Sequence, residues 1–132
     1  MSDVVAAARA ALGARFRLHG REPDDGLDCV GLVAFAYRAV RITVPMPTGY
    51  ALHSGDAAWV AAVVEALGLT RADEPQAGDL LLCEGGPGQL HLVIDSGTGI
   101  IHADAMLRCV VERPGQIPWP VIGRWRLAKK EE

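Results

Sequence analysis

The sequence contains no apolar run long enough to cross a bilayer, and its 16 acidic residues outnumber its 13 basic ones. The formal net charge of −3 gives no electrostatic reason to expect binding to nucleic acid. The first residues, Met1-Ser2-Asp3, lack the basic-then-apolar order of a secretory signal, which predicts that the chain is cytoplasmic as synthesised. We therefore expect neither nucleic acid nor a membrane among its partners.

Cysteine is scarce, and its three copies are widely spaced at Cys29, Cys83 and Cys109. An odd number at such spacing argues against a disulfide framework. No Cys-x-x-Cys or His-x-x-x-His pair is present, so a zinc site has little support, and we expect neither a metal nor an organic cofactor. Cys83 and Cys109 lie in apolar strand contexts and are predicted to be reduced packing residues.

The order of elements along the chain predicts an α+β domain. The 132 residues, half of them apolar, fit a single domain over 1–132. Helical spacing is found at 3–13, 29–41 and 56–67, with a proline-bearing connection at 44–49. After Gly78 the period changes toward two, which predicts strands near 79–83, 90–95, 99–103, 107–113 and 120–127. Helices first and strands afterwards predict N-terminal helices packed on a C-terminal antiparallel sheet.

Cys29 stands where a turn-rich loop ends and the second helix begins. Asp28 is a good N-cap residue, which places Cys29 at the first helical position. A thiol there faces unpaired backbone N–H groups and the positive end of the helix dipole, which predicts a lowered pKa and a nucleophilic thiolate. Gly31, two residues further on, is a weak helix former whose expected use is a close backbone approach. The alternative is a buried, inert cysteine.

Two histidines are predicted to share one face of a hairpin with Asp104. His91 lies on the face opposite to Leu90 and Leu92, and Ser96-Gly97-Thr98-Gly99 forms the turn before the strand that carries His102. If Asp95 pairs with Ile100, the two imidazoles come within reach of a ring-to-ring hydrogen bond. His91 is then a candidate base and His102 its orienting partner. A one-residue slip would separate them, and a solvated surface pair or a satisfied core histidine is the alternative.

The remaining candidates are weaker. His19 lies in a loop ten residues before Cys29, where it lines the approach to the thiol or is simply solvated. His53 precedes the third helix, and capping explains its neighbourhood without a function. Residues 84–88 predict a turn rather than a phosphate loop. Trp119 and Trp125 are predicted to line the core or a groove.

Four segments, in this order, resemble motifs of the NlpC/P60 family of papain-like cysteine peptidases, which cut the stem peptides of bacterial peptidoglycan. They are similar to the family's aromatic-x-Trp-Gly-Gly stretch, its Asp-Cys-Ser-Gly-Leu nucleophile motif, its Pro-Gly-Asp-Leu strand entry, and its His-Val-Gly-Ile and hydrophobic-His-Ala pair. The segments are Phe16-Arg17-Leu18-His19-Gly20, Asp28-Cys29-Val30-Gly31-Leu32, Gln76-Ala77-Gly78-Asp79-Leu80, and His91-Leu92-Val93-Ile94 with Ile101-His102-Ala103.

The resemblance implies a papain-like fold and a cysteine hydrolase that cleaves the D-γ-glutamyl to diaminopimelate bond of peptidoglycan. In it Cys29 attacks, His91 is the base and His102 orients the base. The resemblance also implies that Asp28 pairs with a free amine of the stem peptide. Phe16 stands where the family usually has Tyr and lacks its hydroxyl, and Val30 replaces the usual Ser, so the substrate's identity is less constrained than the chemistry.

The end of the chain resembles the phage-tail and gene-transfer-agent branch of the family, through Glu112-Arg113-Pro114 and Pro118-Trp119-Pro120. That branch implies tail proteins as partners and delivery to the cell wall with a phage-like particle. Two other functions stay open. An amidase or acyltransferase would use the same acyl-thioenzyme, whereas a non-catalytic wall-binding or tail-structural module would keep the fold without needing a reactive thiol.

Overall fold

The computed structural model describes residues 3–43 and 56–127, which contain three helices. The helices are α1 (Asp3–Ala10), α2 (Cys29–Arg38) and α3 (Ala57–Ala66). The three predicted helices are confirmed, although α1 and α2 each end three residues before the predicted position because a turn follows. The predicted connection at 44–49 and His53 lie outside the described residues. No helix in the described part of the chain has the length and hydropathy of a membrane span.

The described strands are β1 (Arg21–Glu22), β2 (Gly26–Leu27), β3 (Leu69–Arg71), β4 (Leu80–Gly86), β5 (Gln89–Asp95), β6 (Gly99–Asp104), β7 (Cys109–Pro114) and β8 (Val121–Leu127). Six of them form an antiparallel sheet in the order β3-β8-β4-β5-β6-β7, whereas β1 and β2 pair with each other. The five strands predicted from the period-two pattern are confirmed as β4 to β8. The other three were not predicted, because two or three residues are too few for a period to show.

The central strands are buried on both faces, so that each face has its own apolar cluster. On the helix side, alternate residues such as Leu82 and Leu92 pack with α1, α2 and α3 into the main core. On the other side a smaller cluster of Leu81, Cys83, Val93 and Ile100 is covered by Ile117 and Trp119. The alternation of strand side chains explains this division. It places His91 and His102 with the second cluster, on the outer face of the sheet.

The start of β4 is held by a buried carboxylate. Asp79 is fully buried and accepts hydrogen bonds from Arg124 at 2.7 Å and from Arg126 at 2.8 and 2.9 Å. Arg124 also donates to Asp95 at 2.8 Å, at the end of β5. A buried carboxylate needs such partners to offset its desolvation. The network therefore ties β4, β5 and β8 together at the sheet end opposite to the histidines.

Candidate active site

Asp28 places Cys29 at the start of α2, as the sequence predicted. Its Oδ1 accepts the backbone N–H of Gly31 at 2.7 Å, which is an N-cap hydrogen bond, and Cys29 is the first helical residue. The backbone N–H groups of Leu92, Val30 and Cys29 all lie against the sulfur. The thiol thus lies between the N-terminus of α2 and the backbone of β5 at Leu92.

His91 and His102 meet in the predicted geometry. β5 and β6 pair at Asp95↔Ile100 and Ile94↔Ile101, which is the register assumed from the sequence. Nε2 of His91 lies 2.9 Å from Nδ1 of His102, so the rings share a hydrogen bond. The prediction of a ring-to-ring contact on one sheet face is therefore confirmed.

A gap in the sheet brings the thiol and the histidines to one cleft. The ladder between β5 and β6 is limited to those two residue pairs. β4 stays paired with β5 as far as Gln89, and β7 stays paired with β6 as far as Asp104. The N-terminus of α2 meets this opening. The resulting cleft has a volume of about 650 Å³, and the residues that line it include Cys29, His91, His102, Asp104, Phe16 and Trp119.

Trp119 packs against both imidazoles from the outer face. The ring centroids of His91, His102 and Trp119 lie 5.1 Å from one another in each pair, and every pair is edge to face. That is a favourable arrangement for aromatic rings. Trp119 therefore limits the positions that the two imidazoles can take, which agrees with its prediction as a groove-lining residue.

The thiol of Cys29 and the imidazole of His91 are both neutral at pH 7. Burial and, to a smaller extent, the nearby His102 lower the pKa of His91 to about 4, although Asp104 opposes the shift. Burial also lowers the pKa of His102. The prediction of a lowered thiol pKa at Cys29 is wrong, because burial raises that pKa to about 11. The backbone N–H groups at the helix start act in the predicted direction, but desolvation of the thiolate outweighs them.

The raised thiol pKa predicts how the free protein reacts with iodoacetamide. Labelling of Cys29 should rise about tenfold per pH unit from pH 7 to 10, since only the thiolate reacts and its fraction grows in that proportion below the pKa. Cys83 has a similarly raised pKa and no exposed surface, so it should label far more slowly. Peptide mapping after limited labelling measures both, with Cys29→Ala as the control. A plateau at pH 7 would contradict the raised pKa.

The other site residues predicted from the sequence have distinct positions. Phe16 lines the cleft. Asp28 also borders the cleft but is 95% buried, since its exposed fraction is 5%. Its two oxygens accept from Gly31 and from the backbone of His19, and Arg21 lies 3.4 Å away. Asp28 therefore serves as a cap, and its contact with a substrate amine stays a prediction.

His19 approaches the site through its backbone. Its N–H donates to Oδ2 of Asp28 at 2.7 Å, and its φ of 64° lies in the left-handed region that few side chains adopt. The ring itself is not among the described groups that line the cleft. Loop 17–20 is thereby tied to Asp28, the cap of α2, next to Cys29. The proposed substrate contact of the imidazole stays a prediction.

The described cleft has no metal-ligand geometry. Within residues 3–43 and 56–127, no three His, Cys, Asp or Glu side chains converge on a point that could hold an ion. All three cysteines are free, with Cys83 buried in β4 and Cys109 half-buried at the start of β7. The cleft thus holds one thiol, that of Cys29, and a hydrogen-bonded imidazole pair.

Comparison with known proteins assigns the family. Residues 13–114 match the model of the NlpC/P60 family. The chain belongs to the NlpC/P60 family. The matched region contains the helix start at Cys29 and both histidine strands. A search of curated proteins finds no match.

Solved structures agree with this NlpC/P60 assignment. The NlpC/p60 domain of the peptidoglycan hydrolase SagA is 27% identical, with a TM-score of 0.59 over 85% of this chain and 86% of that one. The P60 domain of antigen MAP1204 from M. avium subspecies paratuberculosis is 20% identical, with a TM-score of 0.64 over 95% and 91%. The peptidoglycan hydrolase RipB from Mycobacterium tuberculosis is 23% identical, with a TM-score of 0.64 over 97% and 64%. The α+β, papain-like fold is confirmed.

Proposed function

We propose that this NlpC/P60 domain is a cysteine peptidase that hydrolyses peptidoglycan stem peptides, at the D-γ-glutamyl to diaminopimelate bond. The family and the 27% identity to a peptidoglycan hydrolase domain support the substrate class. The observation that carries the proposal is the hydrogen-bonded imidazole pair, 2.9 Å between its nitrogens, in the same cleft as a thiol at a helix start. A scaffold without catalytic function gives no reason to hold two hydrogen-bonded imidazoles in the same cleft as a cysteine.

The proposed reaction starts from the neutral pair. The Cys29 thiol transfers its proton to Nδ1 of His91 as the sulfur attacks the amide carbon, and the N–H of Cys29 helps to hold the oxyanion. The His91 proton then passes to the leaving amine, and the C–N bond breaks to give an acyl-thioenzyme. A water molecule loses a proton to His91 and attacks the thioester. The acid is released, and the proton returns to the sulfur.

His102 supports each of these proton transfers. Its bond to Nε2 of His91 fixes the plane of the base and leaves Nδ1 of His91 as the nitrogen that accepts the thiol proton. Trp119 covers the bond from the outer face, so water competes poorly for it. The low pKa of free His91 favours transfer of the proton from its imidazolium to the leaving amine.

Digestion of purified sacculi tests this function. The protein should release muropeptide fragments cut between D-glutamate and diaminopimelate, identified by mass spectrometry. Cys29→Ala should release none, because no other described cysteine lines the cleft. Cys109→Ser is the matched control and should remain active, since Cys109 lies outside the cleft in β7.

The products separate the other possible reactions. A fragment that carries a new amide in place of a free acid would identify an acyltransferase. Sacculi that stay intact with the wild-type protein as well as with every variant would exclude the proposed hydrolase. The matched region ends at Pro114, before the segment Pro118–Pro120 that resembles the phage-tail branch. Tail partners and delivery by a phage-like particle therefore remain predictions from the sequence.

A further inference from the structure

Within the part of the chain that the structure describes, the imidazole pair ends in a buried nitrogen without a hydrogen-bond partner. His102 has an exposed fraction of 2%, and among the described residues nothing bonds to its Nε2. Oδ2 of Asp104 lies 3.8 Å from that nitrogen. A buried, unpaired N–H costs free energy that a nearby acceptor would recover. This nitrogen therefore needs an explanation.

The direction of the hydrogen bond between the rings decides whether His91 can be a base. For Nδ1 of His91 to accept a proton, the ring must carry its hydrogen on Nε2 and donate it to Nδ1 of His102. His102 must then carry its own hydrogen on Nε2, the unpartnered nitrogen. In the opposite tautomers each ring carries its hydrogen on Nδ1. Nδ1 of His91 is then protonated and cannot accept the thiol proton. The hydrogen-bond direction that leaves Nδ1 of His91 able to accept a proton thus requires an acceptor near Nε2 of His102.

We propose that Asp104 is a positioning residue that sets the tautomers of both histidines by accepting the Nε2 hydrogen of His102. The inference rests on the proposed function and adds a fourth member to its proton relay. The 3.8 Å separation closes by a small movement of the carboxylate, as hydrogen bonds of catalytic groups are commonly long before substrate binds. Burial lowers the pKa of both imidazoles and so favours their neutral forms, in which the tautomer decides which nitrogen carries the hydrogen.

The carboxylate of Asp104 is already oriented for this role. Its Oδ1 accepts the backbone N–H groups of Met106 and Leu107 at 2.8 and 3.0 Å, in the turn between β6 and β7. Oδ2 is the oxygen that remains for His102. The charge of Asp104 raises the pKa of His102, and the positive charge of Arg113 on β7 lowers it, as burial does. Asp104 is therefore the group that can favour a hydrogen on Nε2 of His102.

This geometry makes Asp104→Asn a sharp test. The asparagine oxygen can keep both backbone bonds of the turn, so the amide nitrogen takes the place of Oδ2 and presents a donor to His102. Nε2 of His102 then becomes an acceptor, its hydrogen moves to Nδ1, and Nδ1 of His91 carries a hydrogen. Asp104→Ala removes the acceptor without adding a donor, but it also loses the two turn bonds.

The two variants should therefore rank differently in stability and in turnover. Thermal melts should give wild type, then Asn, then Ala, because Asn keeps the turn. The kcat for stem-peptide hydrolysis should give wild type, then Ala, then Asn, with a loss of about a hundredfold or more in Asn and little change in KM, as for a wrong tautomer in related relays. If Asp104 had only a structural role, melting temperature and kcat would rank the variants in the same order. That result would overturn the proposal.

Nitrogen-15 spectra of histidine-labelled protein report the tautomers without any substrate. Wild type should show both histidines protonated on Nε2 at pH 7, and Asp104→Asn should show both protonated on Nδ1. Wild type with His91 protonated on Nδ1, or an Asn variant with unchanged tautomers, would overturn the role of Asp104. Wild type that shows the expected tautomers but releases nothing from sacculi would instead count against the proposed hydrolase alone.

Discussion

Replacing His91 with alanine is expected to lower kcat/KM for stem-peptide hydrolysis by about a thousandfold or more. The thiol pKa of about 11 leaves almost no thiolate at pH 7, so attack depends on a base that takes the proton during the reaction. General base catalysis commonly contributes between about a hundredfold and ten-thousandfold, and a thiol that is neutral at pH 7 needs the upper part of that range. His91 is the imidazole whose Nδ1 is left for this purpose.

His102 should matter less and in a graded way. His102→Ala removes the partner of His91 and leaves a hole beside Trp119, with an expected loss of about ten- to a hundredfold. His102→Gln and His102→Asn keep a side-chain acceptor for Nε2 of His91 and should recover part of that loss. Steady-state kinetics on a synthetic stem peptide measure the series, with thermal melts as the control for folding. Full activity in His102→Ala together with near-normal activity in His91→Ala would contradict the imidazole relay.

Local rules predicted much of this site because the relevant residues are close in sequence. The N-cap at Asp28 follows from side-chain chemistry within three residues, and the structure has that hydrogen bond. The pairing of Asp95 with Ile100 follows from a four-residue turn, and it alone brings His91 and His102 together. Turn length sets register, and register sets which side chains share a face.

The features that were missed depend on three-dimensional burial. Two opposing effects set the pKa of Cys29. The helix N–H groups lower it, and local sequence reveals them, whereas desolvation raises it and depends on how β5 packs against the thiol. Trp119 was predicted to line a groove, but its simultaneous contact with two imidazoles depends on a crossing from β7 to β8. The unpartnered Nε2 of His102 requires coordinates, since no sequence pattern shows what a buried atom lacks.

At Gly31, helix propensity and backbone packing predict opposite effects of replacing glycine with alanine. Glycine inside a helix costs up to about 1 kcal/mol relative to alanine, so propensity alone predicts that Gly31→Ala stabilises α2. A Cβ at this position would lie 1.9 Å from the carbonyl oxygen of Gly20. That oxygen is main chain, and the loop around it cannot move freely because the N–H of His19 is bonded to Asp28. The expectation from sequence that Gly31 allows a close backbone approach is confirmed.

Gly31→Ala is therefore expected to destabilise the fold by about 3 kcal/mol or more, since a clash with fixed backbone outweighs the gain in helix propensity. The melting temperature should fall by about 10 °C or more. Gly86→Ala is the matched control, because a Cβ there meets nothing within 4 Å, and it should change the melting temperature little. The surviving folded fraction of Gly31→Ala should also lose activity, since relief of the clash moves loop 17–20 and with it the cap that holds Cys29. A Gly31→Ala protein as stable as wild type would show that the loop yields without cost.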